Sequence, residues 1–437
     1  KTKKELRKLE KLKEKKLNEK HTKKREDNNY KSKYKIKSLR NNIKNKYLKE
    51  IRVEFLIIII LLIIYFPNIN MCSESSIIKF KVILSSAGKS KVYGLEKGNN
   101  ISIPDEIYIN SKPQNEIKSE YKFDCIENSI KFIWNRKINS SSHLFYECKN
   151  ITHIDLSNFD SSSIIDMTSM FYDCPKLISL NLSNLDTSSV ICMDSMFYGC
   201  SKLTSLDLSH LNTSKVKNMG YMFKDCSSLK YLNLSNFDTS NVESMMFIFK
   251  DCTSLIYLNL SNFNTSSVTS MKEMFSGCSN LSLLDLSHFH TSKVKSMNSM
   301  FNGCSSLIYL NLNNFDTSSV TDKDEGSNNL LYLGMFAMFN CCTNLKYLDL
   351  SSFTISHNQN LDYMFNNCNS LEYINFENAV LNYNPINIFF GTPSNLIIYS
   401  KSDSWKTILD LHELSIYCNN FDEAKKIYIK NIQEYFD

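Results

Sequence analysis

Glycine is scarce in this chain, 10 of 437 residues, so it has few of the flexible loops on which catalytic sites are commonly built. No Cys-x-x-Cys pair occurs, which argues against a zinc site. A phosphate loop, a glycine-rich dinucleotide fingerprint, Gly-x-Ser-x-Gly and His-Glu-x-x-His are also missing, and with them the usual signatures of nucleotide chemistry and hydrolysis. The eight histidines are scattered, and His210, His288 and His290 read as surface substitutions within a repeat. These absences predict a chain that is not an enzyme and carries no cofactor or metal. An apolar run of about 20 residues, the length of a membrane-spanning helix, is lacking too: Phe55 to Phe66 gives 12.

What the chain does contain is repetition. The leading aliphatics Ile151, Leu177, Leu203, Leu229, Leu255, Leu281 and Leu307 follow one another at steps of 26 residues. Leu345 comes after a step of 38, which is one unit plus a 12-residue insertion, and Leu371 restores the step of 26. A fixed period of this size marks a solenoid, in which stacked units share one core. Within the unit Leu229 to Cys252, Leu229, Leu232 and Leu234 sit at offsets 0, 3 and 5, the last two alternating with polar residues as in a half-buried strand. Val242, Met245, Phe249 and Cys252 then follow at steps of three, four and three, the spacing of one face of a short helix. Asp238, Thr239 and Ser240 stand before it as caps, and Ser240 with Glu243 has capping-box spacing. The expected fold is therefore α/β, a leucine-rich-repeat solenoid with a parallel sheet on the concave side and short helices on the convex side.

Alternation then selects the exposed side of that sheet. Offset 2 carries Tyr231, Tyr257, Tyr309, Tyr347 and Tyr373; offset 4 carries Asp155, Asp207, Asn233, Asn259, Asp285, Asn311 and Asp349; offset 6 is mostly serine. These tyrosines and Asp/Asn residues are the candidate ligand-binding positions, a polar and aromatic platform for protein or glycan. The competing reading is that Asn ladders and stacked Tyr only stabilise neighbouring strands.

Five segments follow from composition. Residues 1–54 carry 22 Lys or Arg against 8 Asp or Glu, a basic tail that is cytoplasmic or cleaved. As the whole chain is +6, the basic balance belongs to the tail and gives no case for nucleic-acid binding by the repeats. Residues 55–66 are a hydrophobic secretion signal or a signal anchor; the length favours the first and the long basic flank the second. Either places the repeats at the cell surface or outside the cell. Residues 77–143 form a β-rich flanking unit, 144–391 the solenoid with its insertion near 321–334, and 392–437 a C-terminal cap with helical patterns over 404–414 and 421–436. The acidic insertion lacks the ligand spacing of an EF-hand.

Nine of the 14 cysteines, from Cys148 to Cys368, share one offset. Packed helices lie about 8–10 Å apart, too far for a disulfide, which needs Cα atoms within about 6.8 Å. They read as buried thiols. Cys125 and Cys418 remain the disulfide candidates.

The units Leu203 to Leu229 and Leu281 to Leu307, with their shared L-x-L-S-x-F-D-T-S-x-V core, Met-Phe and Cys, resemble the BspA-type leucine-rich repeat, the 26-residue surface-protein repeat. The resemblance covers about Leu144 to Phe376 and implies an exported, non-enzymatic adhesion protein with no catalytic residues to carry over. Two other functions stand beside it: a passive coat component, or an intracellular interaction scaffold if residues 55–66 do not direct export. The oligomeric state is not legible.

Overall fold

The computed structural model describes residues 77–83, 88–94, 102–321, 334–355, 359–381 and 383–405, and the backbone of 416–418. They fall within one compact unit, Glu74–Ile429. The basic tail, the apolar run 55–66, all but the two ends of the insertion, and residues 419–437 lie outside the described residues.

Among the described residues six strands precede the repeats: β1 (Ile77–Ile83), β2 (Gly88–Lys91), β3 (Glu106–Ile109), β4 (Lys112–Pro113), β5 (Glu120–Phe123) and β6 (Glu127–Ile133). The repeats begin with β7 (Ile151–Asn158) and β8 (Ser179–Asn181). Strand β1 pairs antiparallel with both β6 and β7, and β7 pairs parallel with β8, so the flanking unit and the first repeats share one six-stranded sheet. Phe80, Phe132 and Phe145 meet beneath it at centroid distances of 4.7 to 6.2 Å. The N-terminal edge of the repeat sheet is thus covered by strand pairing and by aromatic packing.

The later repeats carry β9 (Tyr231–Asn233), β10 (Tyr257–Asn259), β11 (Leu283–Asp285), β12 (Tyr309–Asn311), β13 (Tyr347–Asp349) and β14 (Tyr373–Asn375), followed by β15 (Ile397–Tyr399) and β16 (Ile416–Cys418). Each is three residues long, and β9 to β14 occupy offsets 2 to 4 of their units. Equivalent residues pair in parallel register, Tyr257 with Tyr231 and Tyr309 with Leu283. The ladder is not one nine-stranded sheet but a series of short ones, and the third repeat contributes only the bridge Ser205 to Tyr231.

The convex side departs from the expectation. No helix occurs among the described residues of the repeats. In the second repeat the amides of Met193, Ser195, Phe197 and Gly199 donate to carbonyls of Asn218, Gly220, Met222 and Lys224 in the next coil, at 2.8–3.1 Å. The alternate amides of Met196, Tyr198 and Cys200 close tight turns on residues three back. Ser195 (φ 55°) and Gly199 (φ 69°) lie in the left-handed region, as do Tyr221 and Asp225 one coil later, which a right-handed helix does not admit. Apolar steps of three, four and three suit a train of turns as well as a helix. The neighbouring coil, by taking every second amide, selects the turns. The capping box fails for the same reason: the Glu243 amide that Ser240 would cap donates to the Lys217 carbonyl of the preceding coil at 2.9 Å, and Ser240 donates its hydroxyl to Asp238 Oδ1 at 2.7 Å.

One hydrophobic core runs from Ile78 to Trp405. Down its length phenylalanines stack from Phe145 to Phe389 with ring centroids 5.5 to 5.8 Å apart. The cysteine column is buried and free of disulfides. From Cys174 to Cys368 each thiol donates to the carbonyl of a phenylalanine in the preceding coil at 3.0–3.2 Å. Cys125 is an exposed free thiol, so the disulfide considered for it is not made. At the far end Trp405 stacks on Phe376 at 4.1 Å and donates its indole N–H to Ala379.

Candidate functional site

The alternation that selected the strand face holds at its inner side. At offset 5 the side chains from Leu156 to Phe376 are buried, and at offset 3 most are, with Leu180, Leu206 and Leu258 partly so. On the outer side Tyr231, Tyr257, Tyr309 and Tyr347 are half-buried. Tyr373 departs from the pattern: it is 4 % exposed, gathered with Ile397 and Tyr399 into a separate apolar cluster against which Tyr347 packs. Strand β15, which has no counterpart in the 26-residue unit, supplies Ile397 and Tyr399 on that side of the sheet, so Tyr373 is closed off. The Tyr347 hydroxyl donates to Glu372, which also pairs with Lys346 at 3.1 Å.

The offset-4 column is held by the backbone. Asp155, Asp207, Asn233, Asn259, Asp285, Asn311 and Asp349 each accept, through Oδ1, the amide of the residue two further on, at 3.0–3.2 Å. This is an Asx turn, and it ends the strand. Three of its Asn amides also bridge coils: Asn181 Nδ2 donates to Asp155 at 2.8 Å, Asn259 Nδ2 to Asn233 at 2.9 Å and Asn375 Nδ2 to Asp349 at 2.9 Å. The column therefore builds the face, each side chain tied to the end of its own strand, with the aromatic column beside it.

Alternation puts Leu283 in the same offset-2 column as the tyrosines, although it is not one of the candidate binding positions. Leu283 is 45 % exposed. From the fourth to the eighth repeat the column reads Tyr231, Tyr257, Leu283, Tyr309 and Tyr347. The first three repeats place His153, Ser179 and Ser205 at offset 2.

Aromatics reappear on the turn side of the early repeats. Tyr146, Tyr172 and Tyr198 stack at 4.7 and 4.3 Å, and Lys224 donates to the Tyr198 hydroxyl at 2.9 Å while its Nζ lies 4.4 Å from that ring. Burial, then the neighbouring Tyr198, pushes the Tyr172 phenol up to about 12. Among the described residues no group of three or more His, Cys, Asp or Glu is gathered to hold a metal, and no helix is long and apolar enough to cross a membrane.

Comparison with known proteins gives a family match. The model of the family described as Mycoplasma protein of unknown function, DUF285, matches residues 139–255, 228–330 and 332–390. No curated protein matches the chain. Among solved structures, a leucine-rich repeat protein from Bacteroides ovatus is 17 % identical with a TM-score of 0.22, covering 76 % of this chain and 98 % of that one. TLR13 in its complex with ssRNA13 is 15 % identical with a TM-score of 0.15, covering 58 % of this chain and 49 % of that one.

Proposed function

The chain belongs to the family described as Mycoplasma protein of unknown function, DUF285, and from that premise we propose that it is a non-catalytic binding protein of the BspA type, displayed outside the cytosol, whose strand face takes a protein or glycan ligand. One observation carries this reading: the half-exposed stripe from Tyr231 to Tyr347, centred on Leu283. Aromatic residues are enriched in recognition surfaces because they offer large, stiff contact area with a polar tip. The stripe crosses five successive repeats, so a partner engages several coils at once. Export rests on residues 55–66 and the basic tail before them, with that segment either cleaved or retained as an anchor.

The test is a binding screen of the full chain against immobilised matrix proteins and a glycan array. Replacing Tyr231, Tyr257 and Tyr309 together by Ser is expected to abolish any interaction found, with unchanged circular dichroism. Undiminished binding by the triple variant would remove the strand face as the site. Antibody access to the repeats on intact cells tests the location separately.

A further inference from the structure

A groove of about 410 Å³ opens where the fifth and sixth repeats leave their strands, lined by Ser261, Asn262, Asn264, Ser266, His288 and His290 around buried Phe263. Its histidines stand where most other repeats carry different residues. Offset 7 is Asn in the fourth, fifth and seventh repeats (Asn236, Asn262, Asn314), and offset 9 is Asp in the fourth and seventh (Asp238, Asp316).

His288 inherits the bond of the residue it replaces. Asn236 Nδ2 donates to the Leu208 carbonyl at 2.9 Å, and His288 Nε2 lies 2.8 Å from the equivalent Leu260 carbonyl. A carbonyl only accepts, so Nε2 carries the proton and Nδ1 keeps its lone pair. A ring N–H given to a backbone carbonyl, with the other nitrogen left as a donor atom, is how proteins orient a metal-ligating imidazole. The backbone of His290 is held by Thr265: its amide donates to Thr265 Oγ1 at 2.8 Å, and its carbonyl accepts from the same hydroxyl at 2.9 Å. Between the two, Phe289 is fully buried, with the His288 ring edge-on at 5.1 Å. Both histidines thus flank a locked residue and face one groove.

We propose that His288 and His290 chelate a divalent transition-metal ion of the imidazole-preferring class, Ni²⁺ or Zn²⁺, in this groove. Two imidazoles supply the protein ligands and water completes the coordination shell, since soft sulfur and clustered carboxylates are absent from the lining. His210 provides an internal control. It holds the same offset in the third repeat, but Asn212 follows where His290 would stand.

The experiment is calorimetric titration of the full chain, without a polyhistidine tag, with NiCl₂. The variants His288→Asn and His290→Asn install residues that other repeats carry at these offsets, Asn236 at the first and Asn212 and Asn264 at the second, and replace each imidazole by a side chain that is neither imidazole nor carboxylate. Each is expected to weaken Ni²⁺ binding on the order of tenfold or more, whereas His210→Asn leaves it unchanged. Wild-type affinity in both single variants overturns the proposal, as does an equal loss in His210→Asn or the absence of saturable binding in the parent chain. Near-ultraviolet circular dichroism of each variant verifies that the fold is kept.

Discussion

Thr239 Oγ1 donates to the carbonyl of Asn264 at 2.9 Å and accepts the backbone amide of that same residue at 2.8 Å. One buried hydroxyl therefore satisfies both polar groups of a peptide one coil away. The arrangement repeats at Thr187, Thr265, Thr291 and Thr317. Buried backbone groups need partners, and at this corner of the coil the side chain supplies what a strand would supply elsewhere. Thr239→Val keeps the shape and removes the hydroxyl, leaving a buried amide and carbonyl unpaired. It is expected to cost about 1–3 kcal/mol or more, read as a lower urea midpoint. A midpoint equal to wild type would show that water enters and takes over.

Phe249 lies between Phe223 and Phe275 at 5.8 and 5.6 Å, fully buried. Phe249→Ala opens a cavity that flanking rings of fixed spacing cannot close, with an expected loss of about 3–5 kcal/mol. Coils in a solenoid depend on their neighbours, so hydrogen exchange should rise in the coils on both sides. Exchange confined to the mutated coil would contradict a shared core.

Burial pushes the Cys174 and Cys304 thiols up to about 12 and Cys252 well above its ordinary range. In the unfolded chain these thiols ionise near pH 9, so the folded state holds more protons between those limits. The stability this gives is complete below about pH 9 and is lost as pH rises toward 12. Each thiol ionised only in the unfolded chain lowers stability by about 1.4 kcal/mol per pH unit. Denaturant midpoints measured from pH 7 to 10.5 should fall steeply above 9, and Ala substitution at Cys252 and Cys278 together should flatten that fall.

The same burial predicts a sharp contrast in thiol chemistry. Cys125, exposed on the flanking unit, should react with a disulfide reagent at once, while the column from Cys148 to Cys368 stays silent until denaturant is added. Mass mapping after brief alkylation checks this; early labelling of Cys226 or Cys252 would mean that the coils open locally.

Gly94 donates its amide to the Leu144 carbonyl at 2.9 Å where the flanking unit meets the first turns. A Cβ there would lie 2.1 Å from the His143 carbonyl oxygen and 2.9 Å from Tyr146 Cβ. Gly94→Ala should therefore destabilise by about 1–3 kcal/mol through overpacking, and proteolysis should cut first within residues 77–143.

The sequence by itself determined the 26-residue coil, the parallel register of equivalent residues, and the burial of the aliphatic and thiol columns. Each follows from one property of a side chain, its aversion to water, repeated at a fixed interval. Tertiary structure alone decided where the polar groups go. Whether the Ser195 amide turns back into a helix or crosses to Gly220 depends on a partner 25 residues away, and the apolar steps fit either outcome. The same holds for Thr239, legible as a cap but used as a rung between coils, and for Tyr373, placed outward by alternation but closed over by Ile397 and Tyr399. Hydrophobic spacing says which way a side chain faces; only the neighbouring coil settles which hydrogen bond it makes.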